Sequence, residues 1–387
     1  MSTYIISGVR TASGTFMGPL SQISAPKLGA IAIGGLLNRA KIDGKLVDEV
    51  FMGQVISSGS GQAPARQASI WAGLSTQVPA TTINKVCGSG MQAVILASRT
   101  IELGENQLAV AGGMENMSMA PFLIPNMRQG IKFGESTIKD SLQWDGLWDV
   151  YSNRAMGNCA EECAKIHNIT REEQDAFAIH SFKRSQSAIK EGLFLNEIVP
   201  VEIESKKGKI IVSEDDGPGK ANFEKIPTLT TVFSKDGTIT AANASSLNDG
   251  AAAILLGGEK YKNQAKFKII AHANYAQDPT WFTTSPVEAM KRCLTKSKLK
   301  LEDIDYFEIN EAFALVPLFA MKELKLDHNR VNVYGGGIGL GHPIGCSGAR
   351  IIVTLMSVLQ NKNGKRGMAS ICIGGGEALA LIIEKIN

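Results

Sequence analysis

Several features that would assign this chain to a special class of protein are missing from its sequence. No apolar run approaches the roughly 20 residues that a membrane-spanning helix needs, and the N-terminal segment carries neither a signal-peptide core nor an Arg-rich presequence. The net charge is only +3 and no run of five or more basic residues occurs, so nucleic acid is not indicated as a partner. Tryptophan (4) and tyrosine (6) are scarce, which leaves no aromatic platform for stacked bases. We therefore expect a cytoplasmic protein without a membrane or nucleic-acid partner.

Cysteine is also sparse. The six cysteines have no regular spacing, which argues against a disulfide framework and for a reducing compartment. A chain of 387 residues exceeds one typical hydrophobic core, so two or three domains are expected. Its hydrophobic fraction of 44% and charged fraction of 20% are ordinary for a globular protein.

Strand and helix patterns alternate in two separate parts of the chain, as they do in α/β proteins. Between these parts lies a segment with prolines and charged helices, which indicates an inserted subdomain. Each outer part contains a strand, a cysteine and a glycine turn, which suggests an internal duplication. The predicted regions are 1–117 with 241–265 as the N-terminal half, 118–240 as the inserted loop subdomain, and 266–387 as the C-terminal half.

Two helices have boundaries that the sequence predicts from local signals. Thr170 followed by Glu173 forms the pattern of a capping box, so a helix should run from Arg171 to Glu191 and end before a glycine. The segment from Asn310 to the end of AFALVPLFAMKEL is also helical in pattern, although Pro317 should kink or restart that helix.

Cys87 stands in the turn VCGSG, between an extended stretch and a strong helix pattern. A thiol at a helix N-terminus is stabilised as thiolate by the helix dipole, and the small residues beside it let a substrate approach the backbone. Cys87 is therefore a candidate nucleophile. The alternative is a packed and inert core cysteine.

Four further residues fit a site around such a thiol. His342, in the turn GHPIG, is a candidate to accept the Cys87 proton and leave a thiolate–imidazolium pair, or else a capping histidine. Cys372 ends the apolar strand ASICI before three glycines, which suits a general acid/base thiol and equally a packed strand cysteine. Asn310 follows the strand DYFEI, where it either caps a helix or holds a water or carbonyl oxygen with its amide. Ser245, in ANASS, either lines a narrow tunnel or belongs to an ordinary polar turn.

Two other patterns are similar to metal or cofactor sites, but their residues are expected to have only structural roles. Cys159, Cys163 and His167 recur every four residues on a predicted helix, but no fourth ligand has a matching spacing. The glycines of GGGIG are not framed by a strand–helix–strand unit with an acidic residue downstream, as a dinucleotide site requires. No metal and no bound cofactor are predicted.

The chain contains, in this order, the motifs NKVCGSGMQA, AGGMENMS, ANASSLNDGAA, NEAFA, GGGIGLGHPIGCSGAR and CIGGGEA. Taken together and in this order, they resemble the motifs of the thiolase family over essentially the whole chain. The segments GQAPARQ and TTINKVCGSGM are most similar to the acetoacetyl-CoA thiolases, the acetyl-CoA acetyltransferases. The resemblance implies two duplicated α/β halves in a five-layer α-β-α-β-α arrangement with an inserted loop subdomain. It also implies a homotetramer built as a dimer of dimers.

The resemblance further implies a two-step Claisen reaction with coenzyme A as a substrate. Cys87 would take an acetyl group from acetyl-CoA with the help of His342. Cys372 would then deprotonate a second acetyl-CoA, and attack of the enolate would give acetoacetyl-CoA and CoA. One oxyanion hole would consist of the backbone N–H groups of Cys87 and Gly374, and the other of His342 and a water held by Asn310.

Substrate contacts are implied by the same resemblance. They are Ser245 for the pantetheine, Lys220, Asn222 and Lys225 near the nucleotide, and Met156 and Phe313 in the acyl pocket. The alternative within enzymes is a 3-ketoacyl-CoA thiolase that acts on longer chains in fatty-acid breakdown, and the alternative from a different class is a catalytically silent CoA-binding protein. Retention of all four candidate catalytic side chains argues against the silent protein.

The chain departs from the family pattern at several positions. Ala155 precedes Met156 where many biosynthetic thiolases have histidine, and Phe282 replaces a methionine, which could reshape the pocket to admit a short branched acyl chain. In the potassium-activated subclass the cation binds near the position of Ala241 and beside a tyrosine. The matching residue here is Phe182, which has no hydroxyl and argues against potassium activation.

Overall fold

The computed structural model describes residues 2–205 and 208–386. Its N-terminal half begins with a buried apolar strand and then alternates helices and strands, as the sequence predicts. The third helix ends at Gly104, whose φ of 81° closes the helix in the left-handed conformation. The elements before the insertion are β1 (Tyr4–Thr11), β2 (Gly14–Thr15), α1 (Ala25–Ala40), β3 (Glu49–Gly53), α2 (Pro64–Trp71), β4 (Ala80–Ile83), α3 (Ser89–Leu103) and β5 (Leu108–Asn116).

The inserted segment consists of short two-stranded ribbons and two helices. Thr170 and Glu173 form the predicted capping box, with each side chain accepting the backbone N–H of the other residue. The predicted end of that helix is also confirmed, since Gly192 follows it with a φ of 68°. The elements are β6 (Phe122–Leu123), β7 (Lys139–Asp140), a π-helical turn (Leu142–Leu147), β8 (Trp148–Asp149), β9 (Arg154–Ala155), α4 (Met156–Ile166), α5 (Arg171–Lys190), β10 (Ile198–Val199), β11 (Val201–Ser205) and β12 (Gly208–Val212).

The return strand and the C-terminal half repeat the α/β pattern. Among the described residues, no helix is both long and apolar enough to cross a bilayer. The elements are β13 (Asn248–Gly257), β14 (Phe267–Ala276), α6 (Ser285–Ser297), β15 (Tyr306–Ile309), α7 (Leu315–Leu324), α8 (Ser347–Asn361), β16 (Arg366–Ile373) and β17 (Glu377–Lys385).

One predicted helix is wrong over its first turn. The chain from Asn310 to Ala314 is a loop, and α7 begins only at Leu315. Asn310 is therefore not a helix cap. Pro317 is the third helical residue, a position whose N–H has no partner within a helix, so the proline neither kinks nor interrupts α7.

Five layers make up the molecule, as predicted. One half-sheet has the strand order β4-β3-β5-β13-β1 and the other β14-β17-β16-β15, and the two join where Tyr4 and Ile5 of β1 pair with β14. Helices α3 and α8 pack against each other between the half-sheets. Helices α1 and α2 cover one outer face, and α6 and α7 cover the other. Three apolar clusters fill these interfaces, and the central one contains the Cys87 side chain.

The order of elements supports the predicted duplication. The succession β1-α1-β3-α2-α3-β5-β13 in the first half corresponds to β14-α6-β15-α7-α8-β16-β17 in the second. Val331, which bridges Phe307 of β15 in parallel, takes the place of β4. The segments that precede α3 and α8, which carry Cys87 and His342, are thus equivalent positions of the two halves.

A buried ion-pair cluster ties the insertion to the N-terminal half. The Arg10 guanidinium lies 2.5 Å from Glu197 Oε1 and 2.6 Å from Asp215 Oδ1, and all three side chains are almost fully buried. Because the two carboxylates belong to the insertion and Arg10 to β1, the subdomain is anchored on the half-sheet that leads to the site. The region boundaries at residues 117, 240 and 265 remain a prediction.

Candidate active site

Cys87 sits on a strained turn between β4 and α3. The residue before it, Val86, has a φ of 47°, a left-handed conformation that is rare for a β-branched side chain and costs on the order of 1–3 kcal/mol. Ser89 compensates, because its hydroxyl accepts the Lys85 N–H at 2.8 Å and donates to the Val86 carbonyl at 2.7 Å. Asn84 Oδ1 accepts the Val86 N–H at 3.0 Å. The turn is therefore held by side chains that lie on both sides of the nucleophile candidate.

His342 is oriented by hydrogen bonds at both ring nitrogens. Its Nδ1 lies 2.5 Å from Ser347 Oγ, and its Nε2 lies 3.4 Å from Asn310 Nδ2. The Ser347 hydroxyl donates its hydrogen to the Pro343 carbonyl at 2.9 Å, so its oxygen is free to accept the hydrogen on Nδ1. This arrangement leaves the lone pair on Nε2, where the Asn310 amide donates to it. Nε2 is therefore the basic nitrogen.

Glu115 holds the loop that carries His342. Its buried carboxylate accepts N–H groups from Val55 at 2.9 Å, from Ile56 at 3.2 Å and from Gly345 at 2.9 Å. Glu115 ends a strand of the first half and Gly345 belongs to the second. One side chain thus fixes the histidine loop relative to the N-terminal half-sheet.

Cys372 lies at the end of β16, and the following glycines turn the chain into β17. Gly375 and Gly376 have φ values of 90° and 87°, a conformation that favours glycine. The backbone N–H groups of Gly374 and of Cys87 itself act on the Cys87 thiol, and both act to lower its pKa. These are the two backbone donors that the resemblance implies for an oxyanion hole.

Burial determines the protonation state of the site. Desolvation raises the pKa of Cys87 to about 11, against the opposing effect of the two N–H donors. It lowers the pKa of His342 to about 3, and the charge of Arg350 acts in the same direction. Burial, with a contribution from Cys87, also places the pKa of Cys372 well above its ordinary value. Burial therefore opposes the expected thiolate–imidazolium pair in the resting site and favours neutral thiols and a neutral imidazole.

A cavity of about 240 Å³ opens onto Cys87 and His342. Its walls contain the predicted substrate residues Ser245, Met156, Phe313 and Phe282, together with Leu147, Phe233, Met117, Ile344 and Ala155, several of which the sequence analysis did not single out. Phe313 stands edge-on to both Phe233 and Phe282, with ring centroids 6.2 Å apart in each pair. An apolar pocket beside a thiol suits an acyl group on a long, thin carrier.

The predicted nucleotide contacts are only partly brought together. A second cavity of about 180 Å³ shares Ala244 and Ser246 with the first and reaches Lys220, Ala241 and Phe182. Lys220 is exposed there, and its Nζ lies 2.7 Å from Asp216 Oδ2.

Asn222 and Lys225 are exposed and line neither cavity. They hydrogen-bond each other through the Lys225 N–H, which lies 3.2 Å from the Asn222 carbonyl oxygen. The structure therefore does not place these two side chains at a site.

Two residues that hold the histidine and its loop, Ser347 and Glu115, were not predicted from the sequence. Ser347 had a usable signal, because a hydroxyl residue at the first position of a helix five residues after His342 can reach back to its ring. Glu115 had no local signal, since its three partners lie 60, 59 and 230 residues away.

A buried thiol with two backbone donors, a basic imidazole nitrogen and a second buried thiol define an acyltransferase that works through a cysteine thioester. Comparison with known proteins agrees with this class. The family model "Thiolase, N-terminal domain" matches residues 3–260, and "Thiolase, C-terminal domain" matches residues 263–385. The chain belongs to the thiolase family.

Similar curated proteins span almost the whole chain. Acetyl-CoA acetyltransferase 1 of Arabidopsis thaliana is 49% identical over 98% of this chain and 93% of its own length. The acetyl-CoA acetyltransferase of Saccharomyces cerevisiae is 47% identical over 100% of this chain and 99% of its own length.

Solved structures are equally similar. The acetyl-CoA acetyltransferase of Bacillus anthracis superposes with a TM-score of 0.97 at 38% identity, covering 100% of this chain and 99% of that one. The Acat5 thiolase of Ascaris suum, solved with coenzyme A, superposes with a TM-score of 0.95 at 42% identity and covers 100% of both chains.

Proposed function

We propose that this thiolase is an acetyl-CoA C-acetyltransferase, which condenses two acetyl-CoA molecules to acetoacetyl-CoA and CoA and runs thiolysis in reverse. The observation that carries the proposal is the convergence of the Gly374 and Cys87 N–H groups on the Cys87 sulfur, in a cavity that His342 also lines. The similar proteins that bear this name support the choice of acetyl-CoA as substrate.

In the first half-reaction the Cys87 sulfur attacks the acetyl carbonyl while its proton passes to His342 Nε2. The transfer accompanies the attack, because burial favours the neutral forms of both the thiol and the imidazole. The N–H groups of Cys87 and Gly374 are placed to stabilise the oxyanion. The proton on Nε2 then leaves with the coenzyme A thiolate as CoA–SH, which gives the acetyl-Cys87 thioester.

In the second half-reaction Cys372 passes its proton to His342 Nε2, and the thiolate so formed takes a proton from the methyl group of a second acetyl-CoA. The resulting enolate oxygen lies between His342 and a water on the Asn310 amide, whose Oδ1 is buried and has no hydrogen-bond partner among the described residues. The enolate carbon attacks the thioester carbonyl and the C–S bond to Cys87 breaks. The Cys87 thiolate takes the proton back from His342 Nε2, while Cys372 keeps the proton from the methyl group, so both thiols and the imidazole return to their starting state.

The proposed reaction requires no bound cofactor, since coenzyme A enters as part of the substrate. Ser245 is proposed to contact the pantetheine, because it lines the cavity with its N–H bonded to the Ala312 carbonyl at 3.0 Å. Lys220 is proposed to face the nucleotide from the adjoining cavity. The Phe182 ring in that cavity supports a site without potassium activation.

We also propose a cytoplasmic homotetramer. All six cysteines are free thiols, which suits a reducing compartment. The stretch between β5 and the π-helical turn exposes a set of large apolar side chains of the kind that monomers rarely leave in water, and these form the proposed contact between dimers. They are Met119, Phe122, Ile124, Met127, Ile131, Phe133 and Ile138.

The direct test is loss of acetoacetyl-CoA in the presence of free CoA, with Cys87→Ala as the control. Turnover by the wild type that the substitution abolishes is the expected result. Turnover of longer or branched 3-ketoacyl-CoA thioesters with none of acetoacetyl-CoA would assign the chain to the longer-chain thiolases instead. Binding of CoA without any turnover would favour the silent CoA-binding protein.

A further inference from the structure

The two turns that form the thiol site are joined by one ion pair at their outer ends. Lys85 Nζ pairs with Glu377 Oε2, although the residues are 292 positions apart in the chain. Lys85 lies two residues before Cys87, and Glu377 lies three residues after Gly374. The side chains are 23% and 35% exposed, and neither residue lines the catalytic cavity.

Between the ion pair and the thiol, the two turns are in direct contact. A Cβ atom added to Gly88 would lie 2.5 Å from Cδ1 of Ile373, so the backbone after Cys87 rests on the strand that ends in the glycine turn. A Cβ atom on Gly374 would lie 3.5 Å from Cγ1 of Val86. The two oxyanion donors come from different halves of the molecule, and their separation depends on how these turns are registered.

Both turns also contain backbone in the left-handed region. Val86 has a φ of 47°, and Gly375 and Gly376 have φ values of 90° and 87°. Such segments keep their shape only when the surrounding contacts impose it. The packing contacts between the two turns are apolar and do not define how one turn is oriented relative to the other. An ion pair does define the relative position of the two chain segments that carry its charges.

We propose that Lys85 and Glu377 are a positioning pair that holds the Cys87 and Gly374 N–H groups in register for the oxyanion. The proposal rests on the proposed acetyl transfer and adds residues that touch neither substrate nor thiol. Pairs this exposed contribute little to the free energy of unfolding. The effect of the pair should therefore appear in kcat, because a displaced oxyanion donor lowers the reaction rate much more than it lowers the free energy of unfolding.

The test compares this pair with a matched one on the same two strands. Arg366 and Glu384 pair at the opposite end of β16 and β17, where the side chains are 24% and 21% exposed. We expect Glu377→Gln and Lys85→Gln each to lower kcat for acetoacetyl-CoA thiolysis about three- to tenfold. This is less than the 10²–10³-fold loss on removing a donor outright. KM should stay within about twofold, and Glu384→Gln should leave kcat unchanged.

The charge-swapped double variant Lys85→Glu with Glu377→Lys separates a positioning role from a general loss of structure. We expect it to recover kcat to within about twofold of the wild type, and we expect added salt to lower kcat of the wild type more than that of Glu377→Gln.

Two results would overturn the pair as a positioning device. One is a kcat for Glu377→Gln equal to that of Glu384→Gln, and the other is a swap no better than the single variants. Absence of turnover in the wild type would instead overturn the proposed reaction, so the two failures are distinguishable.

Discussion

Gly90 of α3 and Gly348 of α8 lie against each other's helix backbone. A Cβ atom on Gly90 would come within 2.7 Å of the Ala349 nitrogen, and one on Gly348 within 2.5 Å of the Met91 nitrogen. Cys87 and His342 stand in the turns that lead into these two helices. The absence of two side chains therefore sets the helix spacing, and the spacing sets how far the nucleophile lies from its base.

Gly348→Ala should force the helices apart and separate Cys87 from His342. We expect a loss of about 1–3 kcal/mol in the free energy of unfolding from overpacking, measured by urea denaturation, with a fall in kcat of about 10²-fold for a displacement near 1 Å. Gly34→Ala is the matched control, because its added Cβ would meet nothing closer than the Ala72 carbonyl at 4.0 Å. That variant should be more stable by about 0.5–1 kcal/mol with unchanged kcat. Equal behaviour of the two variants would contradict the spacing argument.

Cys372→Ala should block condensation and leave the first half-reaction intact. The nucleophile, its base and both backbone donors are unaltered, so incubation with acetyl-CoA should still acetylate Cys87, which intact-protein mass spectrometry detects. Acetoacetyl-CoA synthesis should fall by at least about 10²-fold, as expected for loss of a general base. Cys87→Ala is the control that should lack the acetyl adduct. An adduct that requires Cys372 would exchange the roles of the two thiols.

Alkylation of Cys87 should become steadily faster with pH up to about 11. Burial raises the pKa of this thiol in the folded protein to about 11, so the reactive thiolate is a small fraction at neutral pH and grows about tenfold per pH unit. His342 has its pKa lowered to about 3, so it stays neutral throughout this range and adds no inflection. The rate of iodoacetamide labelling, followed by peptide mass spectrometry, measures this directly. A plateau reached near pH 7 would indicate a preformed thiolate.

Ser347→Ala should release the His342 ring from its Nδ1 partner. We expect kcat to fall about 10- to 100-fold with little change in KM, because the ring that carries the basic Nε2 is no longer held in one orientation. A Ser347→Thr variant keeps the hydroxyl and should recover activity relative to alanine. If alanine and threonine variants lose activity equally, the hydroxyl does not orient the ring and the effect is one of packing.

Phe133→Ser, combined with Phe122→Ser, should dissociate the proposed tetramer into dimers. Phe133 is 100% exposed and Phe122 is 68% exposed in the single chain, so their replacement removes apolar contact area without disturbing the fold. Light scattering after size exclusion measures the change in mass. Leu195→Ser, at a side chain that is 76% exposed in another part of the chain, should leave the mass unaltered. A dimeric or monomeric wild type would contradict the proposed assembly.

The parts of this structure that the sequence predicts well are those with local causes. The Thr170 capping box and the left-handed Gly192 after the same helix depend on neighbours within a few residues, and both were predicted. The loop from Asn310 to Ala314 was not, because its shape comes from distant partners. Phe313 forms an isolated antiparallel β-bridge with Ala244. The Ala314 N–H donates to the Asn243 carbonyl, in the same distant loop, at 2.8 Å.

The chemistry divides in a similar way. The identities of Cys87, His342 and Cys372 follow from motifs, whereas their protonation states follow from burial, which is a property of the folded core. A helix N-terminus and a histidine that accepts the proton both favour thiolate, and together they predicted an ion pair. Removal from water outweighs both here. The contacts of Lys225 with its own loop could likewise not be inferred from composition.

The distribution of the site over two equivalent halves has a consequence for biosynthesis. Cys87 is synthesised 285 residues before Cys372 (372 minus 87), and at the usual elongation rates of about 5–20 residues per second this interval is about 15 to 60 s. During that time the nascent N-terminal half carries a nucleophile that lacks the Gly374 donor, the imidazole of His342 and the second thiol. A half-made chain therefore cannot consume acetyl-CoA, and each molecule acquires its activity only when its second half docks onto the first.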